Sequence, residues 1–209
     1  MNNKVIVSFI GMYILATISC TSSTNKSIDS TANNDKTSVL DKVENISKMG
    51  KIAEEATARM EELKKIAPVN NDALKSFFKE EVAGIKRSSF SVQNSMGYSI
   101  GEATYKKNDS VEYKITIYDC AGEMGASFYS LMAMTKLNME TEDENGYEKT
   151  IDFMGTKALK SYKNYDQQCS FSFVSAERFW VQINGTHTNF ENLQVFVDDI
   201  ELMKLASIK

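Results

Sequence analysis

The chain is short of the residues from which most active sites are built. Its 209 residues include one histidine, one tryptophan, one proline and three cysteines. A lone histidine, His187, leaves no set of imidazoles of the kind zinc sites draw on. The sequence has no G-x-S-x-G elbow to set a serine beside it, so His187 reads as a turn residue without chemistry. Cys120 and Cys169 form no C-x-x-C pair, which removes a thioredoxin-like dithiol. The 24 Lys and Arg stand against 28 Asp and Glu, a net charge of −4, with no polybasic run. A nucleic-acid partner would need such a run to neutralise phosphates, so none is expected. No apolar run reaches the ~20 residues of a spanning helix.

What is present begins at the N-terminus. Lys4 is followed by a nearly uncharged apolar stretch from Val5 to Ile18, then Ser19 and Cys20. This is the three-part pattern of a secretory signal. Thr17-Ile18-Ser19-Cys20 resembles a bacterial lipobox, with Thr17 standing where leucine is usual. The resemblance implies a signal peptide over 1–19 and a lipidated Cys20 at the mature N-terminus, with palmitate-type acyl chains anchoring it. It places the protein in the bacterial cell envelope, facing the periplasm. Thr21 and Ser22 lack the aspartate that often retains lipoproteins at the inner membrane, which favours the outer membrane. The stretch after Cys20, TSSTNKSIDSTANNDKTS, has no aromatic residue and too little apolar surface to offset its ordering entropy. Residues 20–38 therefore read as lipidated cysteine and tether, and 39–209 as a single domain.

Within 39–66, apolar residues at Leu40, Val43, Ile46, Met49, Ala53, Ala56, Met60 and Leu63 mark one stripe of a long amphipathic helix. It either lies against a sheet or forms a dimerisation seam. Over 72–209, Asp72 caps a short helix, and period-2 alternation then marks three strands ending at Asp119. A helix over 121–139 follows, then an acidic loop, ETEDENG, four more strands, a tight turn at Asn184-Gly185, and a capping box of Thr188 and Glu191 opening a final helix. This order predicts an α+β fold: an antiparallel curved sheet of about six to seven strands packed against helices.

The block from Ala83 to Tyr105, with Ala83, Gly84, Lys86, Arg87, Met96, Gly97, Ala103, Thr104 and Tyr105 as its marked positions, resembles a family of bacterial envelope lipoproteins. That resemblance implies an address and assigns no activity. The element order also resembles PsbP-like domains, including periplasmic lipoproteins of the DcrB type, and implies a helix–sheet–helix sandwich.

The candidate site residues follow from alternation. In RFWVQIN, Phe179, Val181 and Ile183 point inward, which puts Trp180 and Gln182 on the other face. That face either lies beneath the long helix or, with Tyr118 and Tyr162, forms a binding patch for an envelope protein or a small apolar ligand. Cys120 and Cys169 either pair as a disulfide or stay buried as free thiols; their strand parities set them on opposite faces. The helical methionines Met124, Met132, Met134 and Met139 read as core filler rather than a cuprous site. The acidic loop lacks the order of an EF-hand. The expected role is a non-catalytic binding or adaptor domain. The alternative is a periplasmic enzyme acting on envelope glycans through carboxylates such as Asp119 and Glu123.

Overall fold

The computed structural model describes residues 35–95 and 97–208. The signal segment, Cys20, the tether up to residue 34 and Met96 lie outside the described residues. Helix α1 runs Asp35–Leu63. Helix α2, Asn71–Phe77, is capped by the Asn70 side chain, which accepts from the Ala73 N–H at 2.8 Å. Asp72 thus sits in the first turn, where a negative charge suits the helix dipole, and the cap itself falls two residues earlier than the spacing predicts.

Nine strands follow, interrupted once. Strands β1 (Glu81–Val82), β2 (Ile85–Ser95), β3 (Tyr98–Lys106) and β4 (Glu112–Asp119) form one antiparallel meander. Helix α3 (Gly125–Ala133) and a 3-10 turn at Met134–Lys136 then carry the chain to the far edge. There β5 (Glu140–Asp143), β6 (Gly146–Phe153), β7 (Thr156–Lys163), β8 (Gln168–Ser175) and β9 (Phe179–Thr186) form a second meander. Its last strand pairs antiparallel with β4, giving one open, curved nine-stranded sheet in the order β1-β2-β3-β4-β9-β8-β7-β6-β5. Helix α4 (Phe190–Asp198) and a 3-10 segment at Leu202–Ser207 close the fold.

Four local expectations are corrected. The sheet has nine strands because β1 and β5 join the seven that alternation marks. ETEDENG is an edge hairpin, in which the Asp143 carboxylate accepts from the Asn145 and Gly146 N–H groups at 2.8 and 3.1 Å. All four β5 residues are exposed, and their charges suit an open sheet edge that must not template further pairing. Asn184-Gly185 lies inside β9 and is no turn. A Cβ on Gly185 would sit 2.5 Å from Thr188 Cγ2 and 3.3 Å from Cys169 Sγ, so close packing is what requires glycine there. Finally α4 is capped by Asn189, which accepts from the Asn192 N–H at 2.9 Å; Thr188 instead meets the Tyr113 hydroxyl, and the expected single helix breaks after Asp198.

The sheet buries both faces, unequally. On the first, Tyr105, Tyr113, Ile115, Ile117, Val181, Ile183, Phe171 and Phe173 meet Leu74 and Phe77 of α2, Leu193, Phe196 and Val197 of α4, and Leu202 and Leu205. Tyr113 stacks on Phe196 with ring centroids 4.6 Å apart. Each such fully buried side chain contributes about 1.5–3 kcal/mol, so this face holds the main core. On the second, Ala56 and Leu63 of α1 and Ala126, Tyr129, Met132 and Ala133 of α3 gather with Cys120 and Val174. Arg59 of α1 donates from Nε to the Glu177 carbonyl at 2.9 Å, tying the helix to the β8–β9 turn.

Candidate functional site

Strand register divides the second face into rows. The first runs Ile100, Tyr118, Trp180 and Val174 across β3, β4, β9 and β8. It is apolar, and Phe128 of α3 packs on it: its ring lies 5.5 Å from Tyr118 and 6.3 Å from Trp180. Trp180 stacks on Tyr118 at 4.5 Å and donates from Nε1 to the Ser172 hydroxyl at 2.8 Å. The indole is thus fixed in place and only partly buried.

The next rows change character. Glu102, Thr116, Gln182 and Ser172 form one, and Thr104, Lys114, Asn184, Ser170 and Ser161 the next. Lys114 pairs with Glu102 at 2.7 Å, and the hydroxyls of Ser161 and Ser170 share a hydrogen bond of 2.7 Å. Thr116 is buried, and the others are intermediate in exposure. The face therefore steps from an aromatic shelf beneath α3 to a lattice of hydroxyl, amide and paired charged groups in contact with solvent. Such a surface sets one apolar contact beside many hydrogen-bonding groups.

The four residues expected to form this patch do not stay together. Tyr118, Trp180 and Gln182 share the face, as alternation predicts. Tyr162 does not join them: it pairs in register with buried Cys169 and contacts Tyr147 and Phe190 on the opposite side. His187 lies exposed just past β9 with φ of +52°, a turn conformation. Met124 and Met139 are exposed and Met132 is buried, while no group of three or more His, Cys, Asp or Glu among the described residues is arranged to hold a metal.

Asp119 is the most heavily bonded carboxylate of the site region, and its environment is structural. Arg178 donates to it from Nε at 2.7 Å and from Nη2 at 2.8 Å; the Val69 and Ala121 N–H groups donate at 2.7 and 3.0 Å. Each carboxylate oxygen thus accepts two bonds, and Asp119 is fully buried. Arg178 also donates to the Ala67 carbonyl at 3.1 Å, and the Val69 carbonyl accepts from Ser99 and Asn94. The linker between α1 and α2 is thereby pinned to the sheet. Glu123, the other carboxylate considered for glycan chemistry, is exposed at the surface. Alternation along β4 marks Asp119, but Arg178, its partner, is 59 residues away and enters only through the β4–β9 pairing.

The two cysteines are free thiols in separate clusters, so they are not joined as a disulfide. Cys120 lies on the α1–α3 side and Cys169 in the main core. Burial pushes the Cys120 thiol up to about 12 and Cys169 to about 11, which leaves both protonated at neutral pH. No protein family, curated protein or solved structure matches this chain.

Proposed function

We propose that the protein is a membrane-anchored bacterial envelope lipoprotein, held through Cys20 on the periplasmic side of the outer membrane, whose domain binds rather than catalyses. The lipobox-like residues and the polar tether support the address. Among the described residues no helix is long and apolar enough to cross a membrane, and the anchor in this reading is the lipid at Cys20. Helices on both faces of an antiparallel sheet are in keeping with a PsbP-like sandwich.

The observation that carries the binding role is the step on the second sheet face from the Trp180–Tyr118 shelf to the polar rows of Thr116, Gln182 and Asn184. A rigid, half-buried aromatic pair bordered by hydrogen-bonding groups favours an envelope protein with a complementary apolar anchor, or a small apolar ligand with a polar end. The enzyme alternative loses support because Asp119 has no lone pair uncommitted to the fold. The test is in-cell photo-crosslinking from Gln182 in the full chain, with Val195, which is 63% exposed on α4, as the comparison site. One dominant adduct at 182 that is missing at 195 is the expected result. Identical patterns at both sites would overturn the assignment of the face.

A further inference from the structure

The two edges of the sheet are finished differently. β5 is short, exposed and acidic, as suits an edge that must stay unpaired. At the other edge β1 pairs only with Ile85 and Lys86, and the Glu80 carbonyl accepts the Arg87 N–H at 2.8 Å. From Ser88 to Ser95 the outer side of β2 has no strand of this chain beside it. That run, SSFSVQNS, contains neither a charged residue nor a proline, the residues that usually guard an open edge.

Bond direction decides which groups are open. Arg87 turns its N–H outward, to Glu80. A bulge follows, with Arg87 opposite Tyr105 but Ser89 opposite Thr104, and the Ser88 hydroxyl donates to the Thr104 carbonyl at 3.1 Å. Both bulge residues turn their N–H groups inward to β3, so the outward direction resumes at Phe90, Val92 and Asn94. Their side chains agree, for they share the main-core face with Arg87. The Arg87 guanidinium lies 4.8 Å from the Phe90 ring, that ring lies 5.4 Å from Phe78, and Asn94 donates to the Val69 carbonyl at 3.1 Å. Among the described residues no hydrogen bond reaches the outward N–H and C=O groups of these three.

We propose that β2 pairs antiparallel with β2 of a second copy of this chain, about a two-fold axis at Val92. The ends of the open run select that occupant. Glu80 and β1 block the edge beyond Ser88, so a strand laid against it must end or turn there. β2 itself does so: with Val92 opposite Val92, Ser95 of the second copy faces Ser89, and its hairpin turn comes before Glu80 is reached. Phe90 then faces Asn94, and the outward groups of Phe90, Val92 and Asn94 satisfy one another across the seam. Because the run is uncharged, facing itself sets no like charges opposite. Such an isologous contact closes at two copies, whereas pairing β2 with β5 would build an open chain of subunits.

The experiment uses the full chain in mild detergent, so its readouts do not depend on whether Cys20 carries lipid. Sedimentation equilibrium should give the mass of two chains. Val92→Pro removes one outward donor from each copy, and Ser91→Lys sets a charge in the middle of the run; each should weaken the dimer about tenfold or more. Thr141→Lys on β5 should leave it unchanged. Ser91 and Thr141 are exposed, and unchanged thermal unfolding verifies that the two lysine variants are folded. The register also sets Ser91 opposite Gln93 of the second copy, with Cα atoms about 4.5 Å apart, within disulfide reach. Coproduced Ser91→Cys and Gln93→Cys chains should therefore join under mild oxidation, beyond any background of the parent chain, and Ser91→Cys with Thr141→Cys should not. A monomer, a dimer indifferent to Ser91→Lys, the absence of the 91–93 disulfide, or a disulfide to position 141 would each overturn the proposal. A dimer that survives both Val92→Pro and Ser91→Lys would place the seam elsewhere, with α1 the next surface to test.

Discussion

Replacing Asp119 by alanine tests whether this carboxylate holds the fold or performs chemistry. The side chain is fully buried and accepts two bonds from Arg178, whose own side chain is only 12% exposed, and one each from Val69 and Ala121. Removing it strands a largely buried guanidinium, and breaking such a pair from one side costs about 3–5 kcal/mol. Two N–H groups also lose their acceptor, at about 1–3 kcal/mol each where water does not replace it. Relaxation around the site recovers part of this, so a loss of about 4 kcal/mol is expected, a large share of the roughly 5–15 kcal/mol that typical domains possess. With a urea m-value of about 2 kcal/mol/M, the unfolding midpoint falls by about 2 M. The companion variant Asp119→Ala/Arg178→Met removes both charges, and it should recover about 1–2 kcal/mol of the loss, because the two backbone donors and some packing remain as its cost. A single variant within about 1 kcal/mol of the parent, or a double variant worse than the single, would refute the structural assignment.

Three further outcomes follow from the same structure. Cys120 and Cys169 should resist iodoacetamide at mildly alkaline pH in the folded protein and react fully in denaturant, since burial holds their thiols at about 12 and about 11; alkylation mass shifts report this. Glu177 is pushed up by burial, but the Tyr129 hydroxyl, Lys136 and Arg59 together outweigh that and hold it below its ordinary 4.5. Its contribution is therefore fully present above about pH 4.5 and is lost as pH falls through the lowered value, so Glu177→Gln should flatten the acid limb of a stability–pH profile and leave its neutral region closer to unchanged in shape. Gly122→Ala should destabilise by about 2–4 kcal/mol in chemical unfolding: φ there is +85°, and a Cβ would meet the Gly97 carbonyl oxygen at 2.2 Å and Pro68 Cγ at 2.9 Å.

Local periodicity makes much of this fold legible, and long-range pairing accounts for what it leaves out. Period-2 alternation marks β2, β3, β4 and β6–β9 because each has an apolar face against the main core. β5 escapes it, since all its residues are exposed and nothing alternates. The break between CSFSFVS and RFWVQIN marks a reversal near Ala176-Glu177, and there β8 turns into β9 with both residues at positive φ, +52° and +49°; the further turn signal at Asn184-Gly185 falls inside β9. Alternation also places Trp180 and Gln182 on one face, and register adds Tyr118. Only residue type links Tyr162 to them, and parity through the β7–β8 and β8–β9 hairpins sends it to the other side. Arg178 is invisible to local pattern for the same reason: only the pairing of Asp119 with Phe179 brings it to the carboxylate.

The measurement that bears most directly on the anchored role is the intact mass of the protein extracted from the native membrane fraction, with its N-terminal peptide sequenced. The account predicts a chain that begins at Cys20 and carries acyl groups on that residue. A chain recovered in the aqueous fraction with an unmodified cysteine, or with Met1 through Ser19 retained, would contradict it.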